Sequence, residues 1–162
     1  MAESIVFTKH AERSQIYKEI LPQLEALIAG ETDLTANLAN IAAVLREAFG
    51  FLWVGFYLVR EGQLVLGPFQ GPVACTRIES GQGVCGHAYE SRKTVIVPNV
   101  HEFPGHIACS SRSLSEIVVP MFNDDGSVFG VLDVDSERLD DFADVDARSL
   151  EAIVRLIEKL PR

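Results

Sequence analysis

Two apolar runs that face each other across one acidic turn constrain this chain more than any other feature. Glu116 to Phe122 and Ser127 to Val134 are rich in branched and aromatic residues, and Asn123-Asp124-Asp125-Gly126 joins them. Runs of this kind on either side of a glycine-containing turn predict a β-hairpin. A second hairpin is predicted over Phe51 to Arg60 and Gln63 to Phe69, with Glu61-Gly62 as its tight turn. Two hairpins call for an antiparallel sheet, and a sheet must bury at least one face.

Helices at the two ends of the chain can supply that cover. Ser14 to Ala29 carries Ile16, Ile20, Leu24, Leu27 and Ile28 at helical spacing, although Pro22 is expected to bend or break the helix. Asp33 is a candidate N-cap for a helix bearing Leu34, Leu38, Ile41, Leu45 and Phe49, which Gly50 should stop. Asp144 is placed to cap a last helix running to about Leu160, with Leu150, Ile153, Val154, Ile157 and Leu160 as its apolar stripe. Between these lie a possible short strand at Val73 to Ile78, a loop at Ser80 to Gly83 and a short helix at Val84 to Ser91. A strand at Thr94 to Val97 and an irregular segment from His101 to Ser113 follow. The order predicts one α+β domain over residues 1–162. Its central, mostly antiparallel sheet should have the terminal helices on one face and a loop-covered pocket on the other.

Composition narrows the function classes. With 23 acidic against 14 basic residues the formal charge is −9, which repels phosphate backbones, so nucleic acid is not an expected partner. The longest near-continuous apolar run, Phe51 to Val59, is far short of the roughly 20 residues that cross a bilayer as a helix. Met1 to Ser14 shows no basic patch followed by an apolar core, so a secretory signal is not expected and the cytoplasm is the expected compartment. Three cysteines, Cys75, Cys85 and Cys109, make a poor disulfide framework in such a compartment.

Three groups of residues can carry chemistry. Asp133 and Asp135 are two apart at the end of a predicted strand, so they share a sheet face, and Glu116 begins the partner strand. They are either solvated strand ends or an acidic cluster at a pocket mouth that holds a proton or binds an ammonium group. Cys109 sits among few large apolar residues in His106-Ile107-Ala108-Cys109-Ser110-Ser111-Arg112, where His106 and Arg112 favour a thiolate. Cys85 lies near a helix start, which also favours a thiolate, or else packs inward. Cys75 lies in an alternating segment. Trp53 and Tyr57 share one strand face opposite Phe56, as core packing or as a pocket wall for a sulfur-bearing group. No C-x-x-C pair exists, so a zinc site is not expected.

The segments Ile117-Val118-Val119-Pro120-Met121-Phe122, Asp125-Gly126 and Val128-Phe129-Gly130-Val131-Leu132-Asp133-Val134-Asp135 together resemble the closing hairpin of GAF domains. Asn40 to Tyr57, Cys75, the Ser80 to His87 loop with Cys85, and the Ile107 to Ser111 loop with Cys109 are similar to the free methionine-(R)-sulfoxide reductases, which are stand-alone GAF domains. The resemblance runs from about Tyr17 to Leu160. It implies that Cys109 is the nucleophile, Cys75 the usual resolving thiol and Cys85 a second or alternative partner. It further implies that Glu116, Asp133 and Asp135 bind substrate and supply a proton, and that Trp53 and Tyr57 line the pocket. The implied substrate is free methionine sulfoxide of R configuration at sulfur, the implied reductant is thioredoxin, and no cofactor is implied. Family members commonly pair as homodimers, which the N-terminal helix could mediate. The residues alone permit three thiol pairings and also allow a non-catalytic GAF sensor of small molecules or redox state.

Overall fold

The computed structural model describes residues 4–162. In chain order the elements are α1 (Arg13–Ile28), α2 (Leu34–Phe49), β1 (Trp53–Arg60), β2 (Gln63–Gln70), β3 (Arg77–Ile78) and α3 (Gly83–Ser91), then β4 (Val95–Val97), β5 (Ser115–Phe122), β6 (Val128–Ser136) and α4 (Asp144–Glu158). The strands form one sheet in the order β3-β2-β1-β6-β5-β4, and every neighbouring pair is antiparallel. This is the α+β architecture expected from the hairpins. The β1–β2 turn holds because Glu61 and Gly62 both take positive φ, 50° and 79°, the sign a two-residue type I′ turn requires.

Strand alternation sorts the side chains into two layers. Val54, Phe56, Leu58, Ile117, Val119, Met121, Leu132 and Val134 point to one face and pack with α2 and α4. Trp53, Tyr57, Val118 and Val131 point to the other and pack with α3 and the neighbouring loops. The helix α1 lies outside α2 and α4 rather than against the strands. It is anchored by Arg13, which pairs with Asp141 at 2.8 Å and Asp146 at 3.1 Å, and by Tyr17, whose hydroxyl donates to Asp146 at 2.8 Å.

Four local expectations are corrected. Pro22 does not break α1, which runs through it; the residue is exposed, so its missing N–H falls on the solvent side while Ile20, Leu24 and Ile28 stay buried. Asp144 is the first residue of α4 and not its cap. Ala143 holds the cap position, and the Asp146 side chain accepts the Ala143 N–H at 2.9 Å. The helix α4 ends at Glu158, before Leu160. The strand expected at Val73 to Ile78 shrinks to β3, because the residues before it are held by side chains instead of a ladder. Trp53 Nε1 donates to the Pro72 carbonyl at 3.1 Å, and the Tyr57 hydroxyl donates to the Cys75 carbonyl at 2.8 Å. The irregular segment after β4 contains one short 3-10 turn, Val100–Glu102. Among the described residues no helix is long and apolar enough to cross a membrane.

Candidate active site

Three adjacent strands bring the predicted residues together. In register, Trp53 lies opposite Asp135 and Asp135 opposite Glu116, so one row across β1, β6 and β5 reads Trp53, Asp135, Glu116. The next row reads Gly55, Asp133, Val118. Gly55 is required there: a Cβ on it would overlap Phe69 and the Trp53 ring, which lies over this gap and stacks on Phe69 with centroids 5.2 Å apart. The Tyr57 ring continues the aromatic wall, 5.9 Å from Trp53. Both aromatics are buried in the packing of this face. Each also uses its polar tip to hold the Pro72–Cys75 segment.

The acidic side chains are not solvated strand ends. Glu116 and Asp133 are each only 6 % exposed, and Asp135 is better shielded than its strand-end position suggested. Burial pushes the Glu116 carboxyl well above its ordinary range, and the charges of Asp133 and Asp135 add to that. Burial likewise raises Asp135 well above its ordinary value, with Asp133 contributing, while the hydrogen bond from Ser113 Oγ at 2.5 Å pulls it down. Burial also raises Asp133, but its contacts with Glu116 and Cys85 oppose the rise. Asp133 Oδ1 is buried and has no hydrogen-bond partner.

The three thiols divide into a pair and a single. Cys75 and Cys109 form a disulfide with Cα atoms 5.4 Å apart, within the ordinary range for such bonds. Both residues are half-buried. Cys85 is free and buried, and its thiol donates to Glu116 Oε1 at 3.8 Å. The thiolate suggested by its place at a helix start is corrected: burial, then the charges of Asp133 and Glu116, raise this thiol well above its ordinary value. The cationic surroundings expected for Cys109 are also revised. Arg112 pairs with Glu137 at 2.6 Å, and burial, then the nearby His101, lowers His106, which disfavours its cationic form.

A narrow pocket opens over this face. It is lined by the buried Glu116, Asp133, Cys85, Trp53 and Tyr57 and by the half-buried Asp135, Cys109 and Ile107. Sequence reasoning missed Ser113, Ile107 and Gly83. Ser113 precedes β5 in an irregular segment with no period, and only its serine-to-carboxylate contact reveals it. Gly83 starts α3 where a Cβ would meet Ile107 at 3.3 Å, so the helix and the Cys109 loop close on each other. The site joins a store of protons, a disulfide that lines the pocket through Cys109 and an apolar wall. That set suits reduction of a small polar oxide whose oxygen must be protonated as it leaves.

The GAF domain family matches residues 33–159. The chain belongs to the GAF family. Within it, the chain belongs with the free methionine-R-sulfoxide reductases. The X-ray structure of the free methionine-R-sulfoxide reductase of Neisseria meningitidis in complex with its substrate superposes with a TM-score of 0.93 at 54 % identity, over 96 % of this chain and 93 % of that one. The free methionine-R-sulfoxide reductase of Escherichia coli is 43 % identical over 149 residues, covering 91 % of this chain and 90 % of the relative. That of Saccharomyces cerevisiae is 39 % identical over 166 residues, covering 98 % and 92 %. In this GAF domain the site residues lie on the sheet face opposite α2 and α4 and beneath α3.

Proposed function

We propose that this chain reduces free L-methionine-(R)-sulfoxide to L-methionine by thiol chemistry at Cys109. The observation that carries the reading is a disulfide whose Cys109 lines the same pocket as Glu116, Asp133 and Asp135, carboxyls that burial holds above their ordinary range. A sulfoxide oxygen leaves poorly until protonated, and a carboxyl with a raised pKa protonates it at neutral pH. The three carboxyls titrate as one coupled group, and Asp133 Oδ1 is the oxygen among them without a hydrogen-bond partner. We assign it the substrate ammonium, with Glu116 and Asp135 as the proton supply. Trp53 and Tyr57 receive the methyl-sulfur end, which thioether–aromatic attraction favours.

In the first step the Cys109 thiolate attacks the sulfoxide sulfur. The sulfur–oxygen bond breaks with uptake of a proton, methionine leaves, and the oxygen stays on Cys109 as a sulfenic acid. Cys75 then condenses with that acid, forming the disulfide and expelling water. A thioredoxin-type dithiol restores both thiols by exchange and is itself oxidised. Cys85, free beside Glu116, keeps its thiol through this cycle.

The test is turnover of free and of peptide-bound R and S sulfoxides, with thioredoxin and with a chemical dithiol. Expected is consumption of the free R form alone, lost in Cys109→Ser. Binding of the free R form without consumption overturns the reading and leaves a small-molecule sensor.

A further inference from the structure

Cys85 Sγ, one oxygen of Glu116 and one of Asp133 all lie within 4.8 Å of one another, and all three residues are buried. The Sγ to Glu116 Oε1 separation is 3.8 Å. A sulfur and an oxygen bound to one tetrahedral zinc, at about 2.3 and 2.0–2.2 Å, stand roughly 3.5–3.7 Å apart, so the Cys85–Glu116 pair is already close to that spacing. A second observation points to a ligand. Asp133 Oδ1, on a residue 6 % exposed in the pocket wall, has no hydrogen-bond partner. Buried acceptors left alone in this way are rare and call for a partner.

We infer that Cys85, Glu116 and Asp133 form a binding site for a thiophilic divalent cation of the zinc class, and that the ion is a competitive inhibitor. One thiolate and two carboxylates suit zinc or cobalt; magnesium and calcium favour sets made of oxygen only. The fourth position faces the pocket and takes water. No electron moves: the thiol and the protonated Glu116 carboxyl each lose a proton to solvent as the metal bonds form. Inhibition, unlike binding, rests on the reductase reading, because the ion occupies the oxygens assigned there to the substrate ammonium and the proton supply. The set departs from the expectation of no metal site, since its three ligands come from α3, β5 and β6 and share no sequence spacing.

The experiment uses the oxidised protein, whose Cys75–Cys109 bond leaves Cys85 as the sole thiol. Calorimetric titration with zinc chloride is expected to give one ion per chain, and cobalt a thiolate-to-metal charge-transfer band in the near ultraviolet. Cys85→Ala is expected to weaken zinc at least tenfold and abolish the band. Absence of stoichiometric zinc, a cobalt spectrum without the thiolate band, or full affinity in Cys85→Ala overturns the site. The inhibitory half is read separately, as a rise in KM for methionine sulfoxide with added zinc; binding with an unchanged KM overturns that half. Turnover in chelator-treated buffer reports on the reductase reading alone.

Discussion

The two faces of the sheet are made from the same strands and do opposite things. Toward α2 and α4 the buried side chains of β1, β5 and β6 are aliphatic or aromatic, such as Phe56, Ile117, Met121 and Leu132. Toward α3 those strands bury Glu116 and Asp133 beside Trp53, Tyr57 and Cys85. Burying apolar area stabilises the fold, at about 25 cal/mol per Å². Burying neighbouring carboxyls works against it unless they keep their protons. The helix face therefore supplies the stability that lets the pocket face hold groups away from their preferred protonation state. Such a division is common where a reactive site is built on a rigid sheet.

The predictions that break or sharpen this contrast run from large to small. Cys109→Ser on the pocket side is expected to lower turnover at least roughly a thousandfold, about 4 kcal/mol in barrier, with thermal stability of the reduced protein nearly unchanged. Steady-state kinetics and calorimetry of the same samples check it, and a substantial residual rate would move the nucleophile elsewhere. Leu132→Ala, on the same strand but the opposite face, is expected to cost about 3 kcal/mol of stability with the KM of the folded protein retained. Denaturant titration measures this, and a loss confined to activity would show that the faces are not separable.

Glu116→Gln combines both effects. Turnover is expected to fall about a hundredfold, as for removal of a proton-transfer group, while the ligand-free protein gains roughly 1 kcal/mol. A variant that is both active and unchanged in melting temperature would remove the carboxyl cluster from the mechanism.

The pH dependence of stability has a definite sign. The folded carboxyls of Glu116, Asp133 and Asp135 keep protons that the unfolded chain gives up near pH 4. The unfolded state therefore binds fewer protons in this window, and their contribution to stability is present below about pH 4 and is lost as pH rises through the raised folded values. Melting temperature of the ligand-free protein should fall across that window, and Glu116→Gln should flatten the slope. A profile that rises with pH in both proteins would contradict the raised values.

The smallest effect is expected at Ser113. Its hydrogen bond pulls Asp135 down, so Ser113→Ala should raise Asp135 further and move the alkaline limb of the activity profile up by roughly half to one pH unit. A change in KM with no movement of that limb would assign Ser113 to packing instead.

Much of this was legible before any coordinates. Asp133 and Asp135 share a face because strand side chains alternate, and Glu116 joins them because the hairpin register pairs it with Asp135. Asp33 caps α2 through the Ala36 N–H at 2.9 Å, and the Gly50 N–H closes α2 on Arg46 at 2.9 Å, as the residue types imply. Other features were hidden. Pro22 looked like a break because its cost to a helix is local, whereas the burial of Ile20, Leu24 and Ile28 that offsets it is tertiary. Cys85 could be an activated thiolate or pack inward because its helix start is local, and only the fold decided for inward packing, beside carboxyls from strands about thirty to fifty residues later that oppose the charge. Ser113 had no periodic context at all.

By itself the chain's order of residues determined the strands, their facing and the helices that cover one side, since these follow from backbone periodicity and the burial of apolar surface within a few residues. Only the folded structure decided that Cys75 meets Cys109 across 34 positions, that Cys85 lies under Glu116, and that Asp133 keeps one oxygen without a partner. Those outcomes depend on the paths of irregular segments between fixed elements. Such paths are set by the sum of many weak contacts at long range, which no local repeat records.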